Sequence, residues 1–353
     1  MSRREATLGW DIGGAHLKGC LLEGSTLRDI AQWPCPLWQG MEQLDAALAQ
    51  ARSRWSGAWA AGLRHAATMT GEMVDLFEDR AQGVARIADR LAQSLGPTLR
   101  LFDAEGDWRG PAEVGEHWDG IASANWCATA RVLAARVDDA MLVDIGSTTT
   151  DLIPIRAGRV AAHGATDAER LLTGELVYQG VVRTPLCALG PRVACDGRSI
   201  NVMNEFFATT ADVYRLTGEL APAHDQAATA DGRGKDLAAT RQRLARMIGL
   251  DAAAASEAQW LALAEWWKEA QLREIAGQLA RVTEESGLPA DAPVIGAGCG
   301  AFLAAQVAQR CGRRFLRYAE VALPSPTHDA ALAAWADVCA PAVSVALLAC
   351  ARG

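Results

Sequence analysis

Two short segments of this chain each place an aspartate directly before a glycine-rich turn. The first reads Asp-Ile-Gly-Gly-Ala from Asp11, and the second reads Asp-Ile-Gly-Ser-Thr-Thr from Asp144. Glycine lets backbone N–H groups come close to a phosphate, and inward-pointing amides form an anion-binding nest. Carboxylate oxygens are ligands that Mg²⁺ accepts. The repeated pattern therefore predicts two facing loops that hold a polyphosphate with a divalent cation.

The predicted phosphate-binding residues are small or carry a hydroxyl group. They are Gly13, Gly14 and Ala15 in the first loop, Gly146, Ser147, Thr148 and Thr149 in the second, and Gly296, Gly298 and Gly300 in a later glycine-rich segment. Asp11 and Asp144 are the predicted metal ligands, and Lys18 is a predicted point charge for a diphosphate. Each has a structural alternative, because aspartate also caps turns and threonine is common in strands.

Further candidates lie outside the loops. Glu72 follows a predicted strand and is a candidate base or substrate ligand, or a first-turn glutamate favoured by the helix dipole. Asn125 faces the site or caps the next helix. Arg183 pairs with a carboxylate or phosphate, or lies in a surface loop. Asn204 and Glu205 begin a predicted helical stretch, as contacts for an amine or as a capping pair.

The elements that must position these residues alternate between strands and helices, which is typical of α/β proteins. Each aspartate–glycine turn lies in a predicted hairpin, so the core is predicted to be duplicated. The first lobe is predicted over 1–138 and the second over 139–353, with a mainly helical insertion at about 200–285. Other predicted elements are helices at 41–51, 302–310 and 338–351 and strands at 59–68 and 293–295.

Composition excludes several classes of protein. A length of 353 residues favours two domains. The net charge of −8, without a basic tract, argues against nucleic-acid binding. Nine cysteines without a CxxC pair argue against a zinc site or a disulfide scaffold. The N-terminus lacks a signal-peptide core, and no apolar stretch reaches the ~20 residues that span a bilayer. A cytoplasmic protein without a membrane partner is predicted, and a homo-oligomer stays open.

On these residues the chain resembles the actin-like ATPase superfamily, which includes sugar kinases, Hsp70 and acetate kinase. Within it, the chain is similar to the hydantoinase/oxoprolinase group. More narrowly, it is similar to tetrahydromethanopterin-linked one-carbon-pathway proteins related to the ether synthase of methanofuran biosynthesis. This resemblance implies a duplicated, ribonuclease H-like α/β fold with two lobes around a central cleft. The segments that carry it are 9–18, 67–72, 144–152, 178–185, 204–209 and 296–302.

The resemblance also implies a reaction. It indicates a transferase in which the phenol oxygen of a tyramine- or tyrosine-type acceptor displaces diphosphate from an aminomethylfuran-methyl diphosphate, forming an ether. Mg²⁺ and the loops would hold the diphosphate, and Glu72 is the candidate base. The alternative is an ATP-dependent kinase or an amidohydrolase of the oxoprolinase type, and only this alternative uses ATP. An Hsp70-like binding protein is disfavoured, because no substrate-binding module is evident.

Overall fold

A computed structural model describes residues 6–59, 63–195, 197–324, 327 and 329–351. The strands are β1 Ala6–Ile12, β2 His16–Glu23, β3 Thr26–Pro34, β4 Arg64–Met69, β5 Leu99–Phe102, β6 Trp108–Arg109, β7 Ala140–Ile145, β8 Thr150–Arg156, β9 Arg159–Val160, β10 Leu176–Val177, β11 Arg192–Cys195, β12 Arg198–Asn201, β13 Val294–Ala297 and β14 Phe315–Arg317. The helices are α1 Glu42–Arg54, α2 Ser56–Trp59, α3 Arg80–Leu95, α4 Val114–Ile121, α5 Asn125–Ala134, α6 Asp167–Thr173, α7 Thr210–Leu216, α8 Leu237–Arg246, α9 Glu257–Ser286, α10 Ala301–Arg310, α11 Tyr318–Ala322, α12 Ala330–Val338 and α13 Ala340–Ala351.

The chain divides into two compact units. Unit 1 comprises the described residues of Met1–Ala140, Ile155–Asp167 and Leu316–Gly353, and unit 2 comprises those of Met141–Pro154 and Ala168–Phe315. The predicted lobes differ from these units mainly at the C-terminal end, which was predicted to belong to the second lobe. The physical reason is that α13 packs on β1, β2 and β4 of unit 1.

Unit 1 is built on a sheet with the strand order β3-β2-β1-β4-β5-β6. β1 is antiparallel to β2 and parallel to β4. β1 is buried at every position after Ala6, which is typical of a strand covered on both faces. One face meets α13 so closely that a Cβ on Gly9 would overlap the carbonyl oxygen of Ala342.

An aromatic cluster occupies the core of unit 1. Trp10 packs edge-on against Trp55 at 5.7 Å between ring centroids, and Trp55 packs against Trp33 at 5.4 Å. The Trp10 indole N–H donates to Nδ1 of the buried His65 at 3.1 Å. Burial lowers the pKa of His65 to about 4, so this histidine is a neutral core residue at pH 7.

Unit 2 is built on a sheet with the order β10-β8-β7-β13-β14. β7 is parallel to β13, with Asp144 beside Ala297. The helices α7, α8 and α9 follow within the predicted insertion, and their apolar residues share one core with the sheet. The polar Gly-rich segment 229–236 lies between α7 and α8.

The two sheets repeat one arrangement. In each, a hairpin encloses an aspartate–glycine turn, and a parallel strand lies beside the first strand of the hairpin. The prediction of a duplicated α/β fold is confirmed.

Two predicted elements differ from the structure. The strand predicted at 59–68 is wrong at its start, because Trp59 ends α2 and β4 begins at Arg64. The terminal helix predicted at 338–351 is α13, which follows α12 after a bend of 94°. No single described helix is long and apolar enough to cross a membrane, although this bent pair passes the same test when taken together.

Candidate functional site

The first loop joins β1 to β2 and leaves Asp11 near the end of β1. Asp11 and Lys18 are cross-strand partners, with 3.3 Å between Nζ and Oδ2. Asp11 is 3% exposed, and its Oδ1 has no hydrogen-bond partner among the described residues. Burial raises the pKa of Asp11, and Lys18 opposes that rise. A buried carboxylate oxygen without a partner is unfavourable, and a cation bound there would remove that penalty.

The backbone of the first loop is anchored through its carbonyl groups. The Gly13 N–H donates to the carbonyl of His16 at 2.9 Å and closes the turn. The Gly14 carbonyl accepts from the Leu37 N–H at 3.0 Å. Within the described part of the chain, no backbone hydrogen bond uses the N–H of Gly14 or Ala15. That these two amides bind an anion stays a prediction of the sequence.

The second loop makes the same turn. The Gly146 N–H donates to the carbonyl of Thr149 at 2.8 Å, which matches the Gly13 turn in the first loop. The Ser147 carbonyl accepts from the N–H groups of Val182 and Arg183 at 3.1 and 2.8 Å. No backbone hydrogen bond among the described residues uses the N–H of Ser147 or Thr148. The second loop thus also presents two backbone amides while its carbonyls anchor it.

The segment 178–184 forms a support under the second loop. A Cβ on Gly180 would overlap backbone atoms of Ser147 and Thr148, so only glycine allows this approach. The Gly180 N–H donates to Oγ1 of Thr184 at 2.8 Å, and the Thr150 hydroxyl donates to the Gln179 carbonyl at 2.7 Å. The glycine of the segment 178–184 is therefore explained by its packing against the second loop, which the sequence did not reveal.

The late glycine-rich segment packs on the second aspartate. Gly298 has a φ of +81°, and a Cβ there would lie 2.5 Å from Oδ1 of Asp144 and overlap the Ile145 carbonyl. The Gly300 N–H donates to that same carbonyl at 2.8 Å, and α10 begins directly after Gly300 without a side-chain cap. Gly296 lies in β13 instead, where it makes room for the Phe315 ring.

Glu72 lies in a buried polar cluster of unit 1. Its Oε1 accepts from the Ser123 hydroxyl at 2.7 Å and from Arg80 at 3.2 Å, and Ser123 also lies 3.1 Å from Asp167. Oε2 of Glu72 has no hydrogen-bond partner among the described residues. Burial raises the pKa of Glu72, against the effects of Ser123 and Arg80. The preceding Thr70 donates its N–H to the Ile12 carbonyl at 2.9 Å, which places the cluster beside the first loop.

Sequence reasoning missed the partners of Glu72. Ser123 has a φ of 51°, a left-handed conformation that is uncommon outside glycine. Arg80 begins the amphipathic helix α3 and Asp167 begins α6, so neither stands in a motif. Only the three-dimensional structure brings these residues to one carboxylate.

The remaining candidate residues, Asn125, Arg183, Asn204 and Glu205, lie in different environments. The Asn125 Oδ1 accepts from the adjacent Trp126 N–H at 2.8 Å, but Asn125 is the first residue of α5 and the N-cap is Ala124. Arg183 is half-buried beside the second loop, and burial lowers its pKa. The prediction that Asn204 and Glu205 begin a helical stretch is wrong. Both are exposed and non-helical, because α7 begins only after the capping box of Thr209.

Each unit by itself thus gathers part of the predicted site. Unit 1 joins Asp11, Lys18 and the first loop to the Glu72 cluster, and unit 2 joins the second loop to Arg183 and the late glycines. Among the described residues, no group of three or more His, Cys, Asp or Glu side chains could hold a metal ion. Each loop instead supplies one aspartate. Mg²⁺ is commonly bound by one or two carboxylates together with substrate phosphates and water, so these residues fit that ion.

Comparison with known proteins identifies the family. A sequence model described as Hydantoinase/oxoprolinase matches residues 64–322. The chain belongs to the hydantoinase/oxoprolinase family. The segment matched by the family model contains Glu72, the second loop and the late glycine-rich segment, whereas the first loop lies outside it.

Two relatives of this chain carry the same name. The (4-{4-[2-(γ-L-glutamylamino)ethyl]phenoxymethyl}furan-2-yl)methanamine synthase of Methanocaldococcus jannaschii is 32% identical over 245 residues, covering 69% of this chain and 72% of the relative. The synthase of the same name from Methanococcus vannielii is 33% identical over 148 residues, covering 42% and 66%. Among solved structures, a ROK family glucokinase from Streptomyces griseus is similar at 13% identity, covering 97% of this chain and 98% of that one, with a TM-score of 0.47.

Proposed function

We propose that this chain is a transferase of methanofuran-type cofactor biosynthesis that forms an aryl–alkyl ether. The phenol oxygen of a tyramine- or tyrosine-type acceptor would displace diphosphate from an aminomethylfuran-methyl diphosphate. The observation that carries this proposal is the 32% identity over 245 residues to a synthase whose name describes a phenoxymethyl-furan ether.

The reaction sets two requirements on the protein. The bond between the furan methyl carbon and the diphosphate oxygen breaks, and its electron pair leaves with the diphosphate. The phenol oxygen supplies the pair for the new C–O bond, and its proton passes to a base. The furan ring shares positive charge at the exocyclic carbon. The protein must therefore stabilise charge on the leaving diphosphate and accept one proton.

The two loops support the first requirement. Each presents two backbone amides that no backbone carbonyl uses among the described residues, and Lys18 adds a charge to the first loop. Preorganised donors aimed at developing negative charge are an effective form of catalysis. We assign the diphosphate to these donors.

Asp11 and Asp144 are the carboxylates that we propose to hold Mg²⁺. The buried, unpartnered Oδ1 of Asp11 supports this assignment. When bound, the cation would neutralise charge on the leaving diphosphate.

Glu72 is the base that we propose for the phenol proton. A phenol with a pKa of about 10 is mostly protonated near neutral pH, so a carboxylate close to the acceptor assists its attack. The unpartnered Oε2 supports this role, and burial makes Glu72 a stronger base than an exposed glutamate.

The test is to incubate the full chain with Mg²⁺ and the aminomethylfuran diphosphate plus tyramine, and separately with Mg²⁺ and ATP. Released diphosphate or phosphate is measured, and ether is identified by mass spectrometry. Ether formation without ATP is the expected result. ATP turnover without ether would overturn the proposal and favour the alternative, an ATP-dependent kinase or amidohydrolase.

A further inference from the structure

A pocket of about 260 Å³ opens on unit 2, away from any residue assigned above. Its wall comes from the end of α6, from β10 and the residues after it, and from one face of α9. This volume is slightly below the roughly 300–1,000 Å³ of common small-molecule sites, so the pocket suits only a small organic molecule. The residues used below are Leu171, Tyr178, Gln179, Glu274 and Gln278, all of which line it.

Two buried acceptor atoms of the pocket lack a donor. The side-chain carbonyl oxygens of Gln179 and Gln278 are buried and have no hydrogen-bond partner among the described residues. The Glu274 carboxylate accepts from the Gln278 amide at 3.1 Å, which fixes both side chains on one face of α9. A buried acceptor without a donor is costly, so the pocket favours a ligand that brings several N–H groups.

The pocket lining is acidic rather than basic. It contains no Lys, Arg or His, whereas Glu274 contributes a carboxylate. Arg281 lies near the rim, but its guanidinium donates to Glu285 at 2.9 Å and to the Leu172 carbonyl at 2.7 Å. A cationic ligand is therefore favoured over an anionic one.

The apolar part of the pocket is exposed to an unusual degree. Leu171 is 50% exposed and Tyr178 is 62% exposed. Exposed apolar surface beside a cavity commonly marks a binding site, and a tyrosine ring offers a flat face to another ring. The wall thus suits a flat apolar body.

The pocket is also connected to the second loop. Tyr178 and Gln179 directly precede Gly180, whose backbone packs on Ser147 and Thr148. A molecule held in the pocket lies beside the segment that supports the predicted diphosphate donors.

We propose that this pocket binds an aryl-alkyl primary ammonium, with the ammonium on Glu274, Gln179 and Gln278 and the ring against Leu171 and Tyr178. The assignment rests on the proposed function, since a phenolic amine is the acceptor which that reaction requires.

The test is calorimetric titration of the full chain with tyramine, in the absence of any diphosphate. Tyramine is expected to bind at least tenfold more tightly than p-cresol, which lacks the ammonium, and than isopentylamine, which lacks the ring. Glu274→Gln should weaken tyramine binding at least tenfold, whereas Glu284→Gln, on the same helix but outside the pocket lining, should not change it. Leu171→Ala should weaken binding, and Leu172→Ala, outside the lining, should not.

Equal affinity for tyramine and p-cresol, or full affinity in Glu274→Gln, would overturn the pocket assignment. The proposed function is judged separately by ether formation. Tyramine binding that depends on Glu274 but yields no ether would leave the pocket and remove the transferase. Ether formation with an unchanged KM for tyramine in Glu274→Gln would leave the transferase and remove the pocket.

Discussion

Two buried carboxylates of unit 1, Asp11 and Glu72, each keep one oxygen without a hydrogen-bond partner among the described residues. A buried polar atom left in this way costs about 1–3 kcal/mol. Both residues lie beside the first loop, and both have a pKa raised by burial. Titratable groups with shifted pKa values that lie close together are typical of a functional site.

The role of Asp11 can be tested by Asp11→Asn. The change keeps the size of the side chain and removes the charge that we propose for the cation. Ether formation is expected to fall at least about 100-fold, the magnitude typical for loss of a group that stabilises the transition state. Steady-state kinetics at several Mg²⁺ concentrations measures the effect. Asp89→Asn, exposed on α3, is the matched control, and full activity in Asp11→Asn would remove this residue from the metal site.

The raised pKa of Glu72 predicts the acid side of the pH–rate profile. A carboxylate base works only when deprotonated, so kcat/KM should fall as the pH drops through a pKa above the ordinary glutamate value. Ser123→Gly removes a hydroxyl that stabilises the carboxylate, and glycine suits the positive φ at this position. That variant should move the acid limb to higher pH. An acid limb at the same pH in Ser123→Gly would show that Ser123 does not affect the pKa of Glu72.

His65 predicts how stability depends on pH. Its pKa is about 4 in the folded protein and 6.5 when unfolded, so the unfolded chain binds more protons between these values. Stability should be highest above pH 6.5 and decline by roughly 3 kcal/mol towards pH 4. His65→Asn, which keeps an acceptor for Trp10, should flatten this slope in urea unfolding. His117→Asn should leave it as it is, and an unchanged slope in His65→Asn would contradict the assignment.

The helices and strands around these residues show what the sequence can predict. The hairpins were predictable because alternating apolar strands flank each glycine turn. The support under the second loop was not, since Gly180 reads as an ordinary loop glycine until its backbone contact with Ser147 is seen. Asn204 and Glu205 were misplaced because the apolar residues after them, including the 56% exposed Phe206, do not enter a helix.

Gly180→Ala tests this support. Its Cβ would overlap the backbone of Ser147 and Thr148, so the second loop must shift. The KM for the diphosphate substrate is expected to rise at least tenfold, together with a stability loss of about 1–3 kcal/mol. Gly277→Ala is the control, because it lies inside α9 with nothing near its Cβ and should stabilise the protein by about 0.5–1 kcal/mol. An unchanged KM in Gly180→Ala would show that the support does not shape the loop.

At the scale of the whole chain, unit 2 interrupts unit 1. The sequence of unit 1 resumes at Leu316 after unit 2 is complete, and α13 then covers β1, β2 and β4. The sequence predicted an apolar, packed last helix. It did not reveal which sheet the helix covers, because the contact between Gly9 and Ala342 joins opposite ends of the chain.

A chain that ends at Arg317 tests this dependence. It keeps every strand of both sheets but lacks α11, α12 and α13, so the apolar face of β1 loses its cover. Amide hydrogen exchange should show β1 and β4 unprotected while α9 keeps its protection. A chain that ends at Ala351 is the control. Native protection of β1 in the shortened chain would show that unit 1 does not need its last helix.

The long separation between β1 and α13 has a consequence during synthesis. More than 300 residues lie between Ile12 and Ala340, and ribosomes add about 5–20 residues per second. The face of β1 that α13 covers therefore stays bare on the nascent chain for roughly 20–70 s. Over that time the residues of unit 2 are synthesised, so one apolar face of β1 lacks its intramolecular cover until the last helix is made.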